Sequence, residues 1–156
     1  MDEQGLIRRA VELALENVRE GRGGPFGAVV ARDGVILAEG TNLVSARSDP
    51  TAHAEVVAIR AASAALGTHV LSGCALYASC EPCPMCLAGS YWARLDRLVY
   101  AAGRADAAGA GFDDEAVYAE VALPPERRAL ASVQLPVEGA LAPFEAWARS
   151  ETKVLY

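Results

Sequence analysis

Apolar residues recur at helical spacing near the start of the chain and then fall into short runs typical of strands. Over residues 3–20 they follow an i, i+3, i+4, i+7 stripe, which predicts an amphipathic helix. Two short apolar runs then flank Asp33-Gly34, a pair typical of hairpin turns. The pattern therefore predicts antiparallel strands at about 27–32 and 35–42.

The middle of the chain alternates between helix and strand signals. Four elements are predicted there: a helix over about 52–65 capped by Thr51, a strand over 73–79, a helix from Pro82 to about Arg94, and a strand at 98–100. Strand, helix and strand at this spacing form a βαβ unit, whose two strands pair in parallel.

The last third of the chain has weaker patterns. Residues 101–111 are rich in Ala and Gly and indicate a flexible segment, too short for an interdomain linker. A short helix over 112–120, a strand over 132–137 and a closing helix over 143–152 are predicted beyond it. This order predicts a single α/β domain over residues 1–156, a mixed sheet with helices on both faces.

Composition and charge narrow the function classes. The 156 residues are 53% hydrophobic and 22% charged, as expected for a folded domain. A net charge of −6 argues against binding to nucleic acid through bulk charge, so no nucleic-acid partner is expected. No run approaches the roughly 18 apolar residues of a membrane span, and no targeting segment is visible. We therefore expect no membrane partner and a cytoplasmic location, where thiols stay reduced.

The four cysteines are Cys74, Cys80, Cys83 and Cys86, too crowded for a disulfide framework. In a reducing compartment such a cluster indicates metal or redox chemistry. Cys74 is predicted to be a core thiol, and Cys80 to adjoin the site without being a ligand. His69 is predicted to be a loop residue without a role.

His53-x-Glu55 and Pro82-Cys83-x-x-Cys86 open two predicted helices. Cys83 and Cys86 are neighbours on one helix face, in a first turn where the helix dipole favours thiolates. One imidazole and two thiolates are three zinc ligands, which leaves a fourth position open for water, as in catalytic sites. Glu55 would then move protons, and the combined pattern is the signature of zinc deaminases. Residues i and i+2 lie about 200° apart on a helix, so His53 must stand at its very start.

The cysteines also allow other interpretations. A lone C-x-x-C is often a redox motif, and Cys80-x-x-Cys83-x-x-Cys86 resembles part of an iron–sulfur run but lacks its further cysteine. A closed structural zinc site could recruit Cys80 or Cys74. The His-x-Glu pair argues against all of these, because a structural site has no use for Glu55.

The motifs resemble those of the cytidine deaminase superfamily and, within it, the bacterial guanine deaminase branch. The superfamily segments are GGPFGAV at 23–29, DPTAHAEV at 49–56, SCEPCPMC at 79–86 and YWAR at 91–94. The branch is marked by AGFDD at 110–114 with Tyr118 and Glu120, by Pro143-Phe144 and Trp147, and by a terminal Tyr156. The sequence departs from the expected pattern at Leu87-Ala88-Gly89-Ser90.

This resemblance implies a three-layer α/β/α fold with a mixed five-stranded sheet and one Zn²⁺ per chain. It implies that His53, Cys83 and Cys86 bind the metal and that Glu55 is catalytic. It further implies a set of substrate-binding residues: Phe26, Asn42, the backbone at Ala54, Asp114 and Tyr156. The branch forms homodimers, in some cases with the C-terminal segment exchanged between subunits. A segment at about 140–156 is therefore expected to close the active site.

Each substrate-binding assignment has an ordinary structural alternative. Asn42 could cap a turn, Asp114 could cap the next helix, and a terminal Tyr156 could be disordered.

The predicted reaction is hydrolytic deamination of guanine to xanthine and ammonia. The alternatives are deamination of cytosine, an aminotriazine, guanosine or adenosine in tRNA, or a zinc-stabilised binding module without activity.

Overall fold

The computed structural model describes residues 1–156 and contains seven α-helices and one four-stranded sheet. In chain order the elements are α1 (Glu3–Arg19), β1 (Gly27–Arg32), β2 (Val35–Thr41), α2 (Val44–Arg47), α3 (Ala54–Leu66), β3 (Ala75–Cys80), α4 (Pro84–Trp92), β4 (Arg97–Ala102), α5 (Arg104–Gly109), α6 (Glu115–Val121), a 3-10 turn (Pro125–Arg127) and α7 (Ala142–Arg149). No helix combines the length and the apolar character that crossing a bilayer requires.

The strands lie in the order β2-β1-β3-β4. β1 pairs antiparallel with both β2 and β3, and β3 pairs in parallel with β4. The predicted hairpin is confirmed, with Asp33 and Gly34 both at positive φ in its turn. The βαβ unit and the mixed sheet are confirmed as well.

The expected fifth strand is absent, so the five-stranded sheet is a wrong prediction for this chain. Residues 132–137 form no strand, and Val133 and Leu135 are 85% and 81% exposed. A strand needs a partner for its backbone and a surface for its apolar face. This segment has neither within the chain, although its alternation of apolar and polar residues is typical of a strand.

Helices cover both faces of the sheet, as predicted. Along β1, Ala28 and Val30 point to one face and pack with residues of α3, such as Ala58. Val29 and Ala31 point to the other face and pack with α1. The period-two alternation of a fully buried strand therefore produces three layers.

α3 begins two residues later than predicted. Its N-cap is His53, whereas the Thr51 side chain donates to Asp49 Oδ1 at 2.7 Å and caps nothing in the helix. The start of α3 lies directly on β2, because a Cβ at Gly40 would stand 2.2 Å from the carbonyl oxygen of Ala54. The helix that begins at the site is thus fixed to the sheet by backbone contact.

Two short helices lie outside the predicted elements, one of them in the segment that was expected to be flexible. α2 lies in the polar loop before α3, and α5 lies in the Ala/Gly-rich segment. In α5 the Asp106 carboxylate accepts a hydrogen bond from the N–H of Gly103 at 2.9 Å, which caps the first turn. Alanine's helix propensity outweighs the flexibility of the neighbouring glycines there.

Candidate active site

Three side chains from two helix starts converge beside the carboxyl end of β3. His53 caps α3, Cys83 caps α4, and Cys86 lies in the first turn of α4. His53 Nδ1 is 3.5 Å from the Sγ of each cysteine, and the two sulfurs are 3.6 Å apart. These atoms form a nearly equilateral triangle.

The triangle fits one zinc ion. With Zn–S near 2.3 Å and Zn–N near 2.05 Å, a tetrahedral site has ligand–ligand edges of roughly 3.6–3.8 Å. Two thiolates and a neutral imidazole also balance a divalent charge. A metal ion could be held by one group of side chains in the structure, which consists of His53, Cys83 and Cys86. Neither Cys74 nor Cys80 belongs to it.

Without a metal ion, the three groups of the triangle hold their protons with unequal strength. The hydrogen bond between the two cysteine side chains lowers the pKa of Cys83 to about 4. That interaction and burial raise the pKa of Cys86. The hydrogen bond to Cys83 raises the pKa of His53. The three groups share protons that a divalent cation would displace.

Glu55 lies next to this triangle and is almost fully buried, with 6% of its surface exposed. Cys86 Sγ donates to its Oε2 at 3.4 Å. Burial raises the pKa of the Glu55 carboxyl, since a charged carboxylate loses its hydration there. A carboxyl that can exist in both protonation states is suited to move protons at this position.

His53, Cys83 and Glu55 line a cavity of about 510 Å³. Phe26 and Phe112 form part of its wall, with ring centroids 5.0 Å apart and planes at 89°. Aromatic walls above a polar floor are typical of a site for a flat heterocycle.

Asn42 is buried and lines the same cavity. Its Oδ1 accepts hydrogen bonds from the N–H groups of Gly24 and Val44, both at 3.3 Å. These two backbone donors set the orientation of the amide, so its NH₂ group is left for a bound molecule. Asn42 thus orders its own loop and still has donors to offer.

The neighbouring residues Asp113 and Asp114 make different contacts. Asp113 Oδ1 accepts from the N–H of Glu115, whereas Asp114 occupies the N-cap of α6 without capping it through its side chain. Partial burial raises the pKa of Asp114, which lines the cavity. Ala54 is fully buried and is not among the residues that line the cavity; it stands at the first position of α3, where a helix leaves its N–H groups unpaired.

Tyr156 lies elsewhere in the single chain. It packs near Trp92 and His69, with ring centroids at 6.0 and 6.3 Å, and does not line the cavity that contains Glu55. Cys80 lines the cavity outside the metal triangle, and Cys74 is buried in the core.

Three further residues at or near the site have roles that depend on tertiary contacts and were not predicted from the sequence. Phe112 lines the cavity, and Arg104 lies 4.3 Å from the centroid of the Tyr118 ring. Tyr118 donates its hydroxyl to the carbonyl of Pro82 at 2.7 Å, next to Cys83. The position of Phe112 directly after Gly111 could have indicated a residue of the site. Nothing in the local sequence indicated the partners of Arg104 or Tyr118.

Comparisons with known proteins agree with this geometry. The family description "Cytidine and deoxycytidylate deaminase zinc-binding region" matches residues 1–102. The guanine deaminase of Bacillus subtilis (strain 168) is 51% identical over 156 residues, which is 100% of both chains. A tRNA-specific adenosine deaminase of Aquifex aeolicus is 40% identical over 78 residues, which covers 50% of this chain and 52% of that protein.

Solved structures of guanine deaminases are also similar to this chain. The X-ray structure of the guanine deaminase from Bacillus subtilis superimposes with a TM-score of 0.97 at 51% identity, covering 100% of this chain and 99% of that one. A guanine deaminase structure from Nitrosomonas europaea gives a TM-score of 0.70 at 36% identity, covering 73% and 66%.

Proposed function

This chain belongs to the cytidine and deoxycytidylate deaminase family, and we infer that it is a zinc-dependent hydrolase that converts guanine to xanthine and ammonia. One observation carries this conclusion: the Glu55 carboxyl stands beside a complete His, Cys, Cys triangle at an aromatic-walled cavity. The full-length similarity to a guanine deaminase selects guanine, because the similarity to a tRNA deaminase extends over half of the chain.

The proposed metal ligands are His53 Nδ1 and the sulfurs of Cys83 and Cys86, with one zinc per chain. When bound, zinc supplies Lewis acidity that lowers the pKa of water in its open position towards neutrality. Two thiolate ligands require a reducing compartment, which supports action in the cytoplasm. All four cysteines are free thiols in the structure.

Glu55 is the proposed proton carrier. It takes a proton from the attacking water and passes it to the ring nitrogen next to carbon C2 of guanine. The water oxygen forms a bond to C2, the bond from C2 to the amino nitrogen breaks, and Glu55 carries the second proton to the leaving ammonia. Its raised pKa supports both the accepting and the donating step.

The remaining residues are proposed to bind the flat base. Phe26 and the His53 ring would enclose its two faces, and the NH₂ group of Asn42 and the N–H of Ala54 would donate to acceptors on its edge. Asp114 would accept from N–H groups of the base. Its partial burial and its lack of a capping role support this assignment.

We further propose that the single domain works as a homodimer that exchanges C-terminal segments and acts on the free base rather than on nucleic acid. The apolar side chains of residues 130–156 support exchange, because they stay exposed in one chain; examples are Leu130, Leu141 and Phe144. Tyr156 would then complete the partner's cavity, which it does not reach in its own chain.

The direct test is an ammonia-release assay over guanine, guanosine, adenine, cytosine and an aminotriazine, with xanthine identified as the product. Guanine should react fastest by at least about tenfold, since a base pocket rejects a substrate that leaves its polar groups unpaired. An inert guanine beside another base that turns over would reject guanine and keep the zinc chemistry. If no base released ammonia, the deaminase proposal would be rejected in favour of a zinc-stabilised binding module.

A further inference from the structure

Asn17 is the one polar residue of α1 that is buried, and it is completely buried. The other buried residues of this helix are apolar and pack on the sheet. An amide in such a place costs free energy unless it is hydrogen-bonded, so its partners indicate its purpose. Asn17 does not itself line the cavity.

Asn17 Nδ2 donates two hydrogen bonds to two different loops. Its acceptors are the carbonyl of Asn42 at 2.8 Å and the carbonyl of Gly24 at 2.9 Å. Gly23 allows this close arrangement, because a Cβ there would stand 2.2 Å from the Asn42 carbonyl oxygen. One amide in the rigid helix therefore joins two cavity-lining loops.

These bonds fix Asn42 from two directions. The backbone carbonyl of Asn42 is held by Asn17, and its N–H donates to the carbonyl of Phe26 at 3.1 Å. Its side-chain Oδ1 accepts from the N–H of Gly24, the residue that Asn17 also holds. A shift at Asn17 would therefore move both the backbone of Asn42 and the donor that orients its amide.

The NH₂ half of the Asn17 amide makes both of its hydrogen bonds. The Asn17 Oδ1 is buried without a hydrogen-bond partner. An apolar side chain of similar size would leave the carbonyls of Gly24 and Asn42 without this donor, and a buried carbonyl left unpaired costs free energy. The amide therefore serves both cavity-lining loops through its NH₂ group.

We propose that Asn17 is a positioning residue for base recognition, acting through Asn42 from behind the cavity wall. The inference rests on the proposed function, since it assumes that Asn42 binds the base. Asn17 touches neither the metal triangle nor Glu55, so it acts on substrate binding and leaves the proton transfers intact.

The test is a double-mutant cycle on the full chain with guanine as substrate. Asn17→Ala should raise KM about tenfold with kcat changed by less than about threefold, and Asn17→Ser, which keeps one donor, should lie between it and the wild type. In an Asn42→Ala background, Asn17→Ala should add less than about twofold, because the residue it acts through is gone. Zinc content should stay at the wild-type value.

Leu6→Ala is the matched control, a buried residue of the same helix that packs in the α1 cluster. It should lower stability without raising KM. The inference is overturned if Asn17→Ala and Asn17→Ser keep the wild-type KM, if the Asn17 effect is undiminished in the Asn42→Ala background, or if Leu6→Ala raises KM equally. A wild-type KM for Asn42→Ala alone would instead reject the proposed role of Asn42. Should Asn17→Ala fail to fold, the serine variant runs the same cycle.

Discussion

The first 102 residues and the remainder of the chain differ in how they are packed. Every buried residue lies between Leu6 and Ala93, and no residue from 103 onward is buried. The family match ends nearby, at residue 102, the last residue of β4. The first region, which we call the body, holds the metal triangle and Glu55. The second, which we call the tail region, holds Phe112 and Asp114 and leads to Tyr156.

This difference separates two tasks. The body is packed on both faces of its sheet, so it can hold ligand atoms in a fixed triangle. The tail region is rich in apolar residues that its own chain leaves exposed, including Val133, Leu135 and Phe144. Such a composition is unlike that of a disordered linker and fits a segment covered by a second copy. Chemistry would therefore reside in the body, and closure over the base in the tail region.

The largest expected effect is on the chemistry of the body. Glu55→Gln keeps the size of the side chain but cannot carry a proton, so kcat should fall by about 10³-fold or more. Zinc content should remain at about one per chain, because Glu55 is not a proposed ligand. Steady-state kinetics and elemental analysis measure both. Glu12→Gln, an exposed change on α1, is the control, and substantial activity in Glu55→Gln would reject the mechanism.

Much of the body could be predicted from sequence because its signals are local. The Asp33-Gly34 turn and the spacing of Cys83 and Cys86 needed only neighbouring residues, and the structure confirms the hairpin and brings the three predicted ligand atoms together. The cap at Thr51 was wrong because its hydroxyl bonds to Asp49 instead, a choice between two local partners.

The rest could not be predicted because it depends on contacts distant in sequence. Asn17 meets Asn42 across 25 positions, and Tyr118 meets Pro82 across 36. The strand expected at 132–137 shows the reverse case, since its pattern is present but its chain supplies no partner for it. Periodicity records which face of a segment is apolar and not what covers that face.

The next effect tests whether the tail region works across subunits. A chain lacking Tyr156 should lose guanine turnover by about tenfold or more while keeping its zinc, since one side of the base site would be missing. Co-expression of this variant with Glu55→Gln should restore about a quarter of wild-type activity, because half of the dimers are mixed and each has one complete site.

The two parent variants alone are the controls for this restoration. No restoration in the mixed dimers would show that the tail acts within its own chain. Full activity in the chain lacking Tyr156 would remove that residue from the site.

A smaller effect is expected where the two regions touch. Tyr118→Phe removes the hydrogen bond to the Pro82 carbonyl, worth about 1 kcal/mol, and loosens the tail region against the loop before Cys83. KM for guanine should rise about threefold to fivefold with kcat nearly unchanged. Tyr100→Phe, a hydroxyl removal on β4 outside the cavity, should have no such effect. An unchanged KM in Tyr118→Phe would mean that the regions are positioned independently.

The smallest effect concerns the stability of the body alone. A hydrogen bond from Arg9 lowers the pKa of Glu39, joining α1 to β2. Its contribution is therefore present above the ordinary carboxyl pKa of 4.5 and is lost as the pH falls through the lowered value. Glu39→Gln should cost about 0.5 kcal/mol of unfolding free energy at pH 7, since the pair is partly exposed.

Denaturant unfolding at pH 7 and at successively lower pH measures this difference, which should shrink below pH 4.5. The kcat for guanine at pH 7 should not change, because Glu39 lies outside the cavity. A difference that grows on acidification would contradict the sign of the shift.

The central claim is that guanine deamination depends on one zinc ion held by His53, Cys83 and Cys86. The most direct measurement is ammonia release from guanine on a single preparation, with zinc removed by a chelator and then restored in steps. Activity should disappear with the metal and return in proportion to bound zinc, reaching its maximum at about one ion per chain. Undiminished ammonia release from the zinc-free chain would contradict the account.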